Sequence, residues 1–138
     1  MKPRAALVID LDNVVITGDN VLTPSEALDL LRKILDLSGP VEYLIVAAPR
    51  KTVERYGSTL AALRLRWIIV SGRPDAADEA LLLEITELAS LGYSRFAVAS
   101  ADHAFAPVAE AFPTTVIVRR GQPVSAQLRR AAEAVLAA

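Results

Sequence analysis

The first apolar run of the chain, ALVIDLDNVV, closes in Asp10, Asp12 and Asn13. Nothing local explains an acid at the end of a buried strand, so Asp10 is a candidate for chemistry. Further along, Ser71, Gly72 and Arg73 lead into Asp75 and Asp78, and Ser100 is followed by Asp102 and His103. Carboxylates crowded together raise one another's pKa unless a cation stands between them. A hard divalent ion, Mg²⁺ or Mn²⁺, is the natural counter-ion for an all-oxygen set with few dedicated ligands. Such an ion polarises a phosphate and activates water, and Arg and Lys hold phosphate oxygens. Arg50, Lys51 and Arg73 are the cations expected to do so. The set points to phosphoester chemistry. Asp78 taken alone suits a helix first turn equally well, because the macrodipole favours acids there.

These residues need elements to bring them together. AALVID, VEYLIVAAP, RWIIVSG, RFAVASAD and TTVIVRR read as strands. TPSEALDLLRKILDL reads as a helix with Thr23, Pro24 and Glu26 in a capping-box arrangement. KTVERYGSTLAALRL is a weaker helix interrupted by Gly57, and DAADEALLLEITELASLG is a long one closed by Gly92. FAPVAEAF is a short helix, and VSAQLRRAAEAVLAA is the expected last helix. The strands are unbroken apolar runs rather than alternating ones, so both faces are covered. The expected fold is a single α/β domain over residues 1–138, a three-layer α/β/α sandwich on a mainly parallel five-stranded sheet. In such sheets, sites form beyond the carboxyl ends of the strands. Every candidate named above falls at such an end.

Composition narrows the function classes. The 138 residues are 53% hydrophobic and 22% charged with net charge −1, which argues against a disordered tail or a strongly basic nucleic-acid arm. There is no cysteine, so disulfides, zinc–thiolate sites and cysteine nucleophiles are excluded. MKPR is basic, but the apolar run after it meets Asp10 too soon for a leader. No membrane span is expected, and the expected setting is the cytoplasm. Tyr43, Tyr56 and Tyr93 form no stripe for base stacking, and Trp67 and Phe105 read as packing residues. His103 reads as a partly exposed loop residue, and Arg129 and Arg130 as a solvated helix face.

Two families resemble the opening motif. DLDNVV is similar to the Asp-x-Asp motif of the haloacid dehalogenase-like phosphatases, which implies Asp10 as nucleophile and Asp12 as general acid. Those enzymes also carry a Ser or Thr ending the second strand, a Lys beyond it, a second acid after the fourth strand and a flap hairpin. Here the second strand ends VAAPRK, without a hydroxyl, and Asp102 has no second acid close by.

The wider resemblance is to the NYN domains of the PIN-like nuclease superfamily. Asp10-Leu11-Asp12-Asn13 matches their Asp-x-x-Asn, AADEALLLEITELASLGY looks like their acidic entry to a long helix, and SADHAFAP resembles their Ser-Gly-Asp-x-Asp-Phe-x-Pro. The resemblance runs over most of the chain and is weakest across about residues 20 to 65. It implies that Asp10, Asp78 and Asp102 hold Mg²⁺ or Mn²⁺, that Asn13 orients a ligand or backbone, and that Ser100 assists by hydrogen bonding. The implied activity is metal-dependent hydrolysis of RNA phosphodiester bonds. The chain departs from the pattern at Ala101, where the family has Gly, and at Ala104, where it has Asp. Asp12 and Glu79 are extra acids that would compensate if they point inward. The departure at Ala104 motivates an alternative, a catalytically degenerate domain that binds RNA or protein. A homodimer through strand edges or the Ala/Leu-rich last helix is a further expectation.

Overall fold

A computed structural model describes residues 3–138. Strand β1 (Arg4–Asp10) leads into a single-turn helix α1 (Leu11–Val15) and a two-stranded hairpin, β2 (Ile16–Thr17) with β3 (Asn20–Val21). Helix α2 (Pro24–Ser38) precedes β4 (Tyr43–Pro49), and α3 (Arg50–Leu60) precedes β5 (Arg66–Val70). Helix α4 (Ala76–Ser90), β6 (Tyr93–Ala99), α5 (Ala106–Ala111), β7 (Thr114–Val118), α6 (Ala126–Ala131) and β8 (Ala134–Ala137) complete the chain. The main sheet has six strands in the order β5-β4-β1-β6-β7-β8, and every pair in it is parallel.

The chain winds outward from β1 through β4 to β5, then crosses back to β6 and winds the other way. The order therefore reverses between β1 and β6, and a crevice opens at their carboxyl ends. Side chains of β1 alternate between two apolar layers. Ala6 and Val8 pack with α4, α5 and α6, whereas Leu7 and Ile9 pack with α1, α2 and α3. This period puts Asp10 on the α4 side of the sheet.

Helix α2 begins as its sequence requires. Thr23 Oγ1 accepts from the Glu26 N–H at 3.1 Å, and Glu26 Oε1 accepts from the Thr23 N–H at 2.9 Å. Gly57 does not interrupt α3. The buried stripe Thr52, Tyr56 and Leu60 carries the helix across it.

Besides the short helix α1, two elements differ from the sequence reading. The expected last helix stops at Ala131, and Ala134–Ala137 adds a sixth strand beside β7. Glu133 N–H donates to Thr114 O at 2.9 Å and Ala138 N–H to Val118 O at 2.8 Å. Alanine favours helix, but satisfying the polar edge of a buried strand outweighs that preference. The Ala/Leu-rich helix expected to support a homodimer is thus replaced by a strand. The second difference is the hairpin β2–β3, which the sequence reading did not place. Among the described residues no helix is long and apolar enough to cross a membrane.

Candidate functional site

Asp10 ends β1 at the crevice and is only 7% exposed. It stands at the N-cap of α1, yet its carboxylate makes no capping hydrogen bond. Its pKa is pushed up to about 7. Burial is the largest cause, partly offset by the backbone N–H of Asn13, which lies near the carboxylate without closing a capping hydrogen bond. The negative charges of Asp78, Asp12 and Asp102 raise it further. Asp78 lies in the first turn of α4, also 7% exposed, and its buried Oδ1 has no hydrogen-bond partner among the described residues. Its pKa is raised too, first by burial and then by Asp102, Asp75 and Glu79, against the lowering effect of the Glu79 backbone N–H.

Asp102 follows β6. One oxygen, Oδ1, accepts from the Ala104 N–H at 3.0 Å and lies 3.2 Å from Nδ1 of the exposed His103. Ser100 is fully buried, and its Oγ accepts from the Asp102 N–H at 3.2 Å. The hydroxyl thus shapes the loop that carries the acid.

Asn13 fastens three segments. Leu11, Val14 and Val15 face the core, which turns Asn13 toward the loops after β6 and β7. Its Oδ1 accepts from the Ala101 N–H at 3.0 Å and from Gln122 Nε2 at 2.9 Å. Gln122 Nε2 also donates to the Asn13 carbonyl at 2.9 Å, and Gln122 Oε1 accepts from the Arg119 N–H at 3.0 Å. Asn13 therefore orients backbone.

The other candidates divide. Asp12 accepts from Thr52 Oγ1 at 2.6 Å and is drawn toward α3. Glu79 is exposed and paired with Arg73 at 3.1 Å. Glu79 thus does not point into the crevice, and the Arg73 guanidinium is engaged. Arg50 and Lys51 are exposed at the start of α3. Lys51 borders a cavity of about 480 Å³ together with Asp12, Thr52, Arg55 and Tyr56. A second cavity of about 330 Å³ is bordered by Asn13, Ala101, Asp102 and Gln122. Ile16 of the hairpin borders both.

The structure thus brings Asp10, Asp78, Asp102, Asn13 and Ser100 to one edge. Among the described residues, however, no group of three or more His, Asp or Glu side chains stands ready to hold a metal ion. The two buried carboxylates that could take part in holding one are Asp10, which makes no cap bond, and Asp78, whose Oδ1 has no partner among the described residues. Mg²⁺ commonly takes one or two carboxylates and fills its remaining positions with water and substrate phosphate.

Sequence reasoning missed Gln122 and Thr52. Gln122 sits just past the end of β7, where the carboxyl-edge rule could have found it. Thr52 is a helix residue, and no strand-end signal marks it.

No protein-family model matches the chain, and no curated protein matches it. Among solved structures it is similar to VPA0982, a protein of unknown function from Vibrio parahaemolyticus RIMD 2210633. The TM-score is 0.67 at 16% identity, covering 99% of this chain and 93% of that one. At that identity the likeness is one of fold.

Proposed function

We propose that this domain is a divalent-metal-dependent ribonuclease of the NYN/PIN-like kind, acting in the cytoplasm. The observation that carries the reading is the pair Asp10 and Asp78. Burying two acids at the switch point without a cation is unfavourable, and it has a purpose if a cation and a phosphate complete the site. Bound Mg²⁺ or Mn²⁺ would polarise the phosphate and make an attacking water more acidic. The residues around the pair do the rest. With a pKa of about 7 in the ion-free site, Asp10 gives up its proton readily near neutrality and becomes a carboxylate ligand. Asp102, held by Ser100 and by the Ala104 N–H, contributes negative charge at the crevice. Asn13 and Gln122 fix the loops that border it. Hydrolysis adds the water oxygen to phosphorus and breaks the bond from phosphorus to the leaving ribose oxygen, which takes a proton.

The test is incubation of single-stranded and structured RNA with Mn²⁺ or Mg²⁺, with and without chelator, beside Asp10→Asn. Cleavage that needs both metal and Asp10 is the expected result. RNA binding without cleavage would favour the degenerate binding module, and Ala104→Asp would then be expected to restore turnover.

One observation favours a phosphatase as second reading. The hairpin β2–β3 follows the helical turn directly after Asp10, and Thr52 supplies a hydroxyl beyond β4. That hydroxyl is already committed to Asp12, which is why the nuclease reading leads. Phosphate release from a small phosphomonoester with a trapped phospho-aspartate at Asp10 would sink the nuclease.

A further inference from the structure

Beyond the acids, the carboxyl edge carries a cationic feature that they do not use. Strand β7 ends at Val118 and runs into Arg119, Arg120, Gly121 and Gln122. Gly121 has φ +84°, in the left-handed region open to glycine. The tight turn closes with Gln122 N–H on Arg119 O at 2.9 Å. Arg119 Nη1 is shielded from solvent and has no hydrogen-bond partner among the described residues. A guanidinium cannot shed its proton, so this nitrogen is a committed donor without an acceptor. Glu26 is the acid whose charge interacts with Arg119. Its carboxylate is engaged at the start of α2 by the Thr23 N–H, and no ion pair joins it to Arg119 among the described residues.

A cavity of about 210 Å³ opens here, bordered by Thr17, Asn20, Arg119 and Arg120. Thr17 and Gln122 also border the cavity that holds Asn13 and Asp102. The two spaces therefore adjoin, with Asp102 on one side and a pair of arginines on the other. Planar guanidinium donors match phosphate oxygens geometrically. A single strand lying along the two adjoining spaces would bring its backbone past Asp102 and past the arginines.

We propose that Arg119, with Arg120, forms a subsite that grips the backbone phosphate next to the scissile one in single-stranded RNA. This rests on the phosphodiester reading of the acid site. The experiment is fluorescence anisotropy with a labelled single-stranded oligouridylate of about ten nucleotides, within the ~4–16 that a small domain covers, in chelator so that nothing is cleaved. Arg119→Ala should weaken binding about tenfold and flatten the dependence of log K on log salt by about 0.7, the loss of one phosphate contact. Arg119→Lys should keep most of the charge effect. Arg130→Ala, which borders a separate cavity with Glu110 and Gln127, should bind as wild type. Arg119→Ala should also melt no lower than wild type, which a structural pair with Glu26 would contradict. Wild-type binding by Arg119→Ala, or no binding by wild type, overturns the subsite. If Arg119→Ala does not fold, Arg120→Ala, a change at an exposed residue, decides in its place, and unaltered binding overturns the proposal. Metal-dependent cleavage is scored separately on wild type. Its absence sinks the nuclease while the anisotropy still decides Arg119, and its presence beside unchanged Arg119→Ala binding sinks only the subsite.

Discussion

Asp10 holds its proton more tightly in the folded chain than in the unfolded one, about 7 against 3.8. Between those values the folded state carries a proton that the unfolded state has lost. Its contribution to stability therefore falls as pH rises from about 4 to about 7, by at most about 4 kcal/mol. Asp10→Asn removes that penalty, so the variant should melt higher than wild type at pH 8 and gain much less at pH 5. Calorimetry at the two pH values, without added metal, checks it, and an equal gain at both would refute the burial argument. The same proton competes with a cation. Mg²⁺ or Mn²⁺ should bind wild type more tightly as pH rises through about 7, and below that pH should displace up to one proton. Titration calorimetry in buffers of different ionisation heat reads that release, and Asp10→Asn should lose it. Asp10 was legible in the sequence because an acid after ALVI has no local use. The Arg73–Glu79 pair was not legible, since Glu79 is six residues away on the next helix and nothing in the spacing shows that the pair closes.

At the scale of elements, the crevice depends on three loops held by amides. Gln122 joins the loop after β7 to the turn after β1, across 109 positions of sequence. Gln122→Ala leaves the Arg119 N–H without its acceptor and Asn13 Oδ1 with Ala101 alone. Each partly buried group so stranded costs about 1–3 kcal/mol. Urea denaturation should show a loss in that range. Asn13→Ala should cost a similar amount, and the double variant should cost less than the sum, because both remove one network. Additive losses would mean that the two amides act independently. Such a link cannot be read from a single chain, since only the closed sheet brings Asn13 and Gln122 together. The capping box of α2 was legible because its three residues are neighbours in sequence.

For the whole molecule, the layered α/β plan followed from the alternation of apolar runs and amphipathic stretches, and the order reversal at β1 and β6 explains why Asp10 and Asp102 end up at the same edge. The sixth strand was hidden because AEAVLAA carries a helix-favouring composition, and only the open edge of β7 decides otherwise. Removing residues 134–138 should expose that edge, whose Val116, Ile117 and Val118 are buried. The shortened chain should self-associate, as exposed apolar edges do, and light scattering after size exclusion would show it. A stable monomer would mean that β8 is dispensable. Strand β8 also sets the polarity of the molecule. Because it runs parallel to β7, Ala138 finishes beside the cationic loop, where its carbonyl accepts from the Arg120 N–H at 3.0 Å. Arg4, opening β1, lies at the far end of the same sheet. Any fusion partner joined after Ala138 would therefore emerge beside that loop, at the end of the sheet that carries the crevice, whereas one joined ahead of Pro3 would start from the opposite end.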